Sequence, residues 1–196
     1  MKLYLRDDIE KIGEDELQEL LSRLPQWRRQ RALSYRHLSG RRESATAFLL
    51  LADALRQEYG ISHIPPFTLT EHGKPSLSEY PHIHFSLSHC RNAVLCAIDS
   101  RPVGADIERL RTFTPSLLRY TMSPSEQDTI LHSPTPQLTF TELWTRKEAL
   151  LKLTGQGVGS NMHDILLPQR LQDEGITITT HHTDDYAYSI AERVEN

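Results

Sequence analysis

Residues Lys2–Arg6 alternate between polar and apolar, which predicts a first strand. In residues 14–24, Leu17, Leu20, Leu21 and Leu24 recur at helical spacing, and Pro25 then marks a break. Residues 27–42 are rich in arginine, with Arg28, Arg29, Arg31, Arg36, Arg41 and Arg42. Residues 43–59 predict a long helix built around Ala47, Phe48, Leu50, Leu51 and Leu55, stopped by Gly60. A loop follows, holding Pro65, Pro66, Gly73, Lys74 and Pro75. Residues 82–87, 93–99 and 103–108 are short, β-rich runs bounded by turns. Ser123 to Glu126 opens a short helix, and residues 137–154 form a strong one ended by Gly155, Gly157 and Gly159. Residues 176–180 and 186–191 close the chain as a β-hairpin. Helices and strands occur in both halves without strict βαβ alternation, so the expected fold class is α+β.

Composition narrows the picture. The chain has 196 residues, 38% hydrophobic and 24% charged, which is globular rather than disordered or fibrous. No apolar run approaches the ~18 residues of a membrane span. The start, MKLYLRDDIE, has no signal-peptide core, so a cytoplasmic location is expected. Cys90 and Cys96 are too few for a disulfide framework or a zinc ribbon and read as small buried strand residues. With 22 Lys and Arg against 26 Asp and Glu the net charge is −4, which argues against a general nucleic-acid binder.

Four segments carry candidate chemistry. Along Val103-Gly104-Ala105-Asp106-Ile107-Glu108, alternation turns Val103, Ala105 and Ile107 to a core and Gly104, Asp106 and Glu108 to the other face. Two carboxylates about 7 Å apart on one face suit a hard divalent cation. Gly104 leaves room beside them for a close approach. The same pattern also describes the wet face of an ordinary strand. In the helix, Trp144, Glu148, Leu151 and Lys152 are neighbours. Glu148 lies between a Trp and a Leu, and Lys152 one turn on is its expected partner, either at a site or as a plain surface salt bridge. Ser88-His89 projects from the end of a strand. It lacks the flanking glycines of a nucleophile elbow, but a hydroxyl and an imidazole together can hold phosphate oxygens. Gly73-Lys74-Pro75 places a cation in a tight turn, with or without a ligand. Ser123-x-x-Glu126 with Pro124 is a capping box, and a catalytic Glu126 is the competing reading. Residues 28–42 form an anion patch or a solvated face. His181, His182, Asp184 and Asp185 read as a hairpin tip rather than a metal site.

In their order along the chain, Gly73-Lys74-Pro75, Phe85-Ser86-Leu87-Ser88-His89, Gly104-Ala105-Asp106-Ile107-Glu108 and the run from Trp144 to Lys152 resemble the 4′-phosphopantetheinyl transferases, in the single-chain Sfp-type branch. The resemblance is firm over residues 70–160 and loose elsewhere. It implies two similar α+β halves in pseudo-twofold relation, residues 1–101 and 102–196, with coenzyme A in the cleft between them. The implied reaction moves phosphopantetheine from coenzyme A to a serine of an apo acyl or peptidyl carrier protein and releases adenosine 3′,5′-bisphosphate.

Position by position, the resemblance makes Asp106, Glu108 and Glu148 magnesium ligands. Lys74 with Pro75, Ser88 and His89 become coenzyme A contacts, and Lys152 the holder of the pyrophosphate. Glu126 matches a further carboxylate, and either Glu148 or Glu126 is the base for the serine proton. The family's arginine just before the leucine run of the first long helix is replaced here by Phe48, which leaves Arg41 and Arg42 for the 3′-phosphate. Leu110, Phe113, Leu117, Leu118 and Tyr120 are candidates for carrier docking or for core packing. The implied protein is a monomer with no nucleic-acid or membrane partner. Two readings compete with the transferase. One is an inactive coenzyme A or carrier binder of the same fold. The other is a nucleic-acid module on residues 28–42, opposed by the acidic balance and by few interleaved aromatics.

Overall fold

The structure, a computed structural model, describes residues 1–64, 67–70, 73–157 and 162–194. Pro65, Pro66 and Gly159 lie outside the described residues. The fold is mixed α+β. In the first half, β1 (Lys2–Arg6) and β4 (His84–His89) flank β5 (Val94–Asp99), both antiparallel to it. In the second, β6 (Val103–Arg109) and β7 (Ile176–His182) flank β8 (Tyr186–Arg193), again antiparallel. Each sheet therefore has the last of its strands in the centre.

The two sheets lie back to back between two long helices. Helix α3 (Leu38–Tyr59) packs Leu51, Ala54 and Leu55 onto Phe85, Cys96 and Ile98 of the first sheet. The opposite face of that sheet, through Leu95 and Ala97, meets Val103, Ala105, Ile107 and Ile190 of the second. The far face of the second sheet receives α6 (Pro136–Thr154), whose Ala149, Leu150 and Leu153 share a cluster with Ile176 and Ala191. Strand β5 is buried from Val94 to Ile98 because both its faces are covered. Between the halves, serine hydroxyls take the place of ladder bonds. Ser86 Oγ accepts the Ala105 N–H at 2.9 Å, and Ser88 Oγ accepts the Ile107 N–H at 3.2 Å.

Helices α1 (Glu14–Ser22) and α5 (Pro124–Leu131) stand where the sequence predicts them, and some of the remaining elements depart from the expected pattern. The arginine-rich stretch contains helix α2 (Gln26–Leu33), and α3 begins at Leu38, five residues before the expected start. Helix α2 buries only Ala32, so no apolar stripe announces it. Together with α1 it packs on α3 through Leu17, Leu20, Leu21, Ala32, Ala45 and Phe48. Short strands β2 (Phe67–Leu69) and β3 (Pro75–Leu77) pair beside the first sheet. Helices α4 (Pro115–Thr121), α5 and α7 (Pro168–Asp173) complete the second half. Strand β4 runs on through His89, so Ser88 lies inside the strand rather than beyond its end. No helix among the described residues is long and apolar enough to cross a membrane.

Candidate active site

The site is seated by a glycine. A Cβ built at Gly104 would overlap the Ala149 carbonyl oxygen and the Leu153 backbone nitrogen. The close approach that Gly104 permits is therefore to α6, not to a ligand. This corrects the expectation of an open face on β6. Both of its faces are covered, and Asp106 is only 4% exposed. Glu148 and Lys152, one turn apart on α6, thereby come down over Asp106.

Lys152 Nζ donates to Asp106 Oδ1 at 2.7 Å and to Ser88 Oγ at 3.0 Å. Ser88 Oγ also donates to Asp106 Oδ1 at 2.7 Å. The expected Glu148–Lys152 pair is thus replaced by a pair that bridges helix and strand, because Asp106 is the nearer and more deeply buried acid. Asp106 Oδ2 is buried with no hydrogen-bond partner among the described residues. Burial, then the neighbouring Asp106 charge, pushes the Glu148 carboxyl above the usual carboxylate range. Burial and Asp106 likewise raise Glu108, and Arg111 and Lys152 pull it back only in part. Three neighbouring acids, two of them raised, with too little positive charge beside them form an electrostatic setting that favours a cation.

Arg111 was not singled out from the sequence. Its guanidinium stands 3.7 Å from Glu108 Oε1 and 4.7 Å from the centre of the Trp144 ring. The signal was faint, one arginine three residues past a strand carboxylate. Trp144 stacks on Phe140, and its indole nitrogen is buried without a hydrogen-bond partner among the described residues.

A cleft of about 250 Å³ opens beside Lys152 and Glu148. Lys74, Pro75 and Leu87 line it from the first half, and Gly155 and Gly157 from the second. Gly155 ends α6 at φ 73°, a left-handed turn that favours glycine. Lys74 Nζ donates to the carbonyls of Val103 and Leu153, each at 3.3 Å, and burial lowers its pKa. A cation that, among the described residues, is held by two carbonyl dipoles in a cleft wall is well prepared for a phosphate.

The structure thus gathers Asp106, Glu108, Glu148, Lys152 and Ser88, with Lys74 and Pro75 at the cleft. Other candidates are held by partners outside this cluster. His89 Nδ1 lies 3.1 Å from Glu43 Oε2. Arg41 Nε donates to the Tyr35 carbonyl at 2.9 Å, and Arg42 Nη1 to that of Glu10 at 3.0 Å. Arg28 and Arg29 also donate to backbone carbonyls, so much of the arginine stretch staples helices together. Glu126 completes the capping box with Ser123 and pairs with Lys147 at 2.6 Å. Leu118 is core, packed with Met122, Ile130 and Phe140, whereas Tyr120 is 77% exposed.

Among the described residues, no three His, Cys, Asp or Glu side chains form a metal cage by themselves. The chemistry of the acids still fits a hard divalent ion. Asp106 has a buried oxygen with no partner among the described residues, and the Asp106 charge, which after burial is the next cause raising Glu108 and Glu148, is what such an ion offsets.

Residues 102–194 match the model of the 4′-phosphopantetheinyl transferase superfamily. A 4′-phosphopantetheinyl transferase of Bacillus subtilis is 28% identical over 76% of this chain and 66% of its own length. The B. subtilis 4′-phosphopantetheinyl transferase ffp is 25% identical over 93% of this chain and 84% of its own. The Bacillus pumilus 4′-phosphopantetheinyl transferase psf-1 is 30% identical over 76% of this chain and 64% of its own. The chain thus spans just under two thirds of the first and third of these relatives. Over residues 102–194 the chain is thus similar to the 4′-phosphopantetheinyl transferase superfamily, and over most of its length it is similar to Sfp-type 4′-phosphopantetheinyl transferases.

Proposed function

We propose that this protein transfers the 4′-phosphopantetheine group of coenzyme A to a serine of an apo acyl or peptidyl carrier protein and releases adenosine 3′,5′-bisphosphate. The observation that carries this reading is the Lys152–Asp106 pair across α6 and β6, with Glu108 and Glu148 raised beside it and with Lys152 and Glu148 lining a cleft.

Phosphoryl transfer asks little covalent work of a protein, so positioning and charge neutralisation dominate. Coenzyme A lies in the cleft with its diphosphate at Lys152 and a phosphate at Lys74, and His89 is a further phosphate contact once it exchanges Glu43 for the ligand. Arg41 and Arg42 are the candidates for the 3′-phosphate once their carbonyl contacts are exchanged. Asp106, Glu108 and Glu148 would hold the magnesium ion, which when bound neutralises diphosphate charge. The serine oxygen forms a bond to the phosphorus bearing pantetheine, and the bond from that phosphorus to the bridging diphosphate oxygen breaks. The adenosine bisphosphate leaves with that oxygen, its growing charge met by Lys152. The serine proton passes to Glu148, directly or through one water.

Residues 1–101 and 102–196 are proposed as two related halves, supported by their equal strand order, edge–centre–edge with the last strand central. A cytoplasmic monomer without nucleic-acid or membrane partners is part of the same reading. The test is incubation of the purified protein with coenzyme A, magnesium and a panel of apo carrier proteins. A mass gain of one phosphopantetheine group supports transfer. Coenzyme A binding with no gain on any carrier leaves the inactive binder.

A further inference from the structure

Lys147 immediately precedes Glu148, yet its side chain is fully buried. It lies on the apolar stripe of α6 with Leu143, Leu150 and Leu151, where a lysine is out of place. Its ammonium donates to Glu126 Oε2 at 2.6 Å, to the Met162 carbonyl at 2.6 Å and to the Thr121 carbonyl at 2.9 Å. An ammonium has three N–H donors, so none is left for a substrate. Glu126 Oε2 is committed in the same way, since it also accepts the Ser123 N–H at 2.7 Å.

One buried charge therefore gathers three segments of chain: the end of α4, the first turn of α5, and the segment that returns after α6. A second tie joins two of them. His163 Nε2 lies 2.9 Å from the Arg119 carbonyl and 3.1 Å from that of Tyr120, at the last turn of α4. Met162 itself packs under α6 with Ala149 and Leu150. The chain between α6 and Met162 begins with Gly155 and Gly157, which line the cleft.

We propose that Lys147 is a positioning residue of the candidate active site, with Glu126 as its counter-ion. Together they fix the chain before and after α6, and so hold Glu148 and the cleft wall in place. This deepens the transferase reading and rests on it. Glu126 becomes the counter-ion of a structural lysine, and the acceptor proton falls to Glu148 alone.

Three variants test this: Glu126→Gln, which keeps an acceptor oxygen but removes the counter-charge, Lys147→Met, and the double variant. Three readouts are taken: equilibrium binding of coenzyme A without carrier, amide hydrogen exchange at residues 162–164, and transfer kinetics on an apo carrier. Each single variant is expected to speed exchange and weaken coenzyme A binding. KM for coenzyme A rises, while kcat stays within about tenfold of wild type. The double variant is no worse than Lys147→Met, because the pair is already lost in either single. A Glu126→Gln protein that loses about a hundredfold or more in kcat with binding and exchange unchanged makes Glu126 a general base and overturns the proposal. Wild-type exchange and binding in Lys147→Met overturn it equally. Should Lys147→Met fail to fold, Glu126→Gln decides. If the wild-type protein transfers nothing, the transferase reading falls, and the exchange readout still decides the role of Lys147.

Discussion

Gly104 of β6 lies against the Ala149 carbonyl of α6, with no space between them for a single methyl group. That contact sets the depth at which α6 sits on the sheet. It therefore sets the distance from Lys152 to Asp106. Gly104→Ala is expected to destabilise the protein by about 1–3 kcal/mol, the usual cost of overpacking. The upper end is favoured because the obstructing atoms are backbone rather than a flexible side chain. Turnover falls by about a hundredfold as α6 lifts. Denaturant unfolding and transfer kinetics on the same sample check both.

Asp106→Ala removes the counter-ion of Lys152 and the partner of Ser88. Turnover is expected to drop by about a hundredfold or more, the scale of losing one preorganised electrostatic contact. The same change removes a charge that raises Glu108 and Glu148, so both carboxyls titrate at lower pH. Wild-type kcat in this variant would remove Asp106 from the site. Carboxyl resonances followed by NMR across pH would show the shift.

The raised acids make stability depend on pH in a stated direction. Glu108 and Glu148 titrate above the ordinary glutamate value of 4.5 in the folded chain. Between 4.5 and the folded values the native state binds more protons than the unfolded chain, so stability falls as pH rises through that window. Asp8 and Asp99 shift the other way, so their stabilisation is complete above 3.8 and is lost as pH falls below it. Glu148→Gln is therefore expected to have a higher Tm than wild type at pH ~7 and an equal one at pH ~4. Thermal scans at the two pH values decide it, and equal Tm at both contradicts the assignment.

Magnesium should act through the same charges. Added to the wild-type protein at neutral pH, it raises Tm by mass action. The rise is lost in Asp106→Ala. An equal rise in both proteins would place the ion elsewhere.

Much of this site was legible in the sequence. The acids on β6 and the Glu148–Lys152 turn on α6 stand at the strand and helix periods, and the apolar residues around them fix those elements locally. What depends on tertiary packing was not legible. Gly104 looks like a gap for a ligand until α6 fills it. Lys152 looks like a partner for Glu148 until Asp106 arrives from another part of the chain. Lys147 carries no signal of its own in the sequence, and only three segments folding onto it reveal a buried staple. Helix α2 escaped because its arginines satisfy backbone carbonyls instead of a hydrophobic stripe. Strands β2 and β3, three residues each, are too short to show a period.

The central claim is that the cluster around Asp106 and Lys152 moves phosphopantetheine onto a carrier serine. Its most direct test is intact-protein mass spectrometry of apo acyl and peptidyl carriers incubated with coenzyme A, magnesium and either wild-type protein or Asp106→Ala. The account predicts one added phosphopantetheine on at least one carrier with wild type and a greatly slowed gain with the variant. No gain on any carrier, or an equal gain with both proteins, would contradict it.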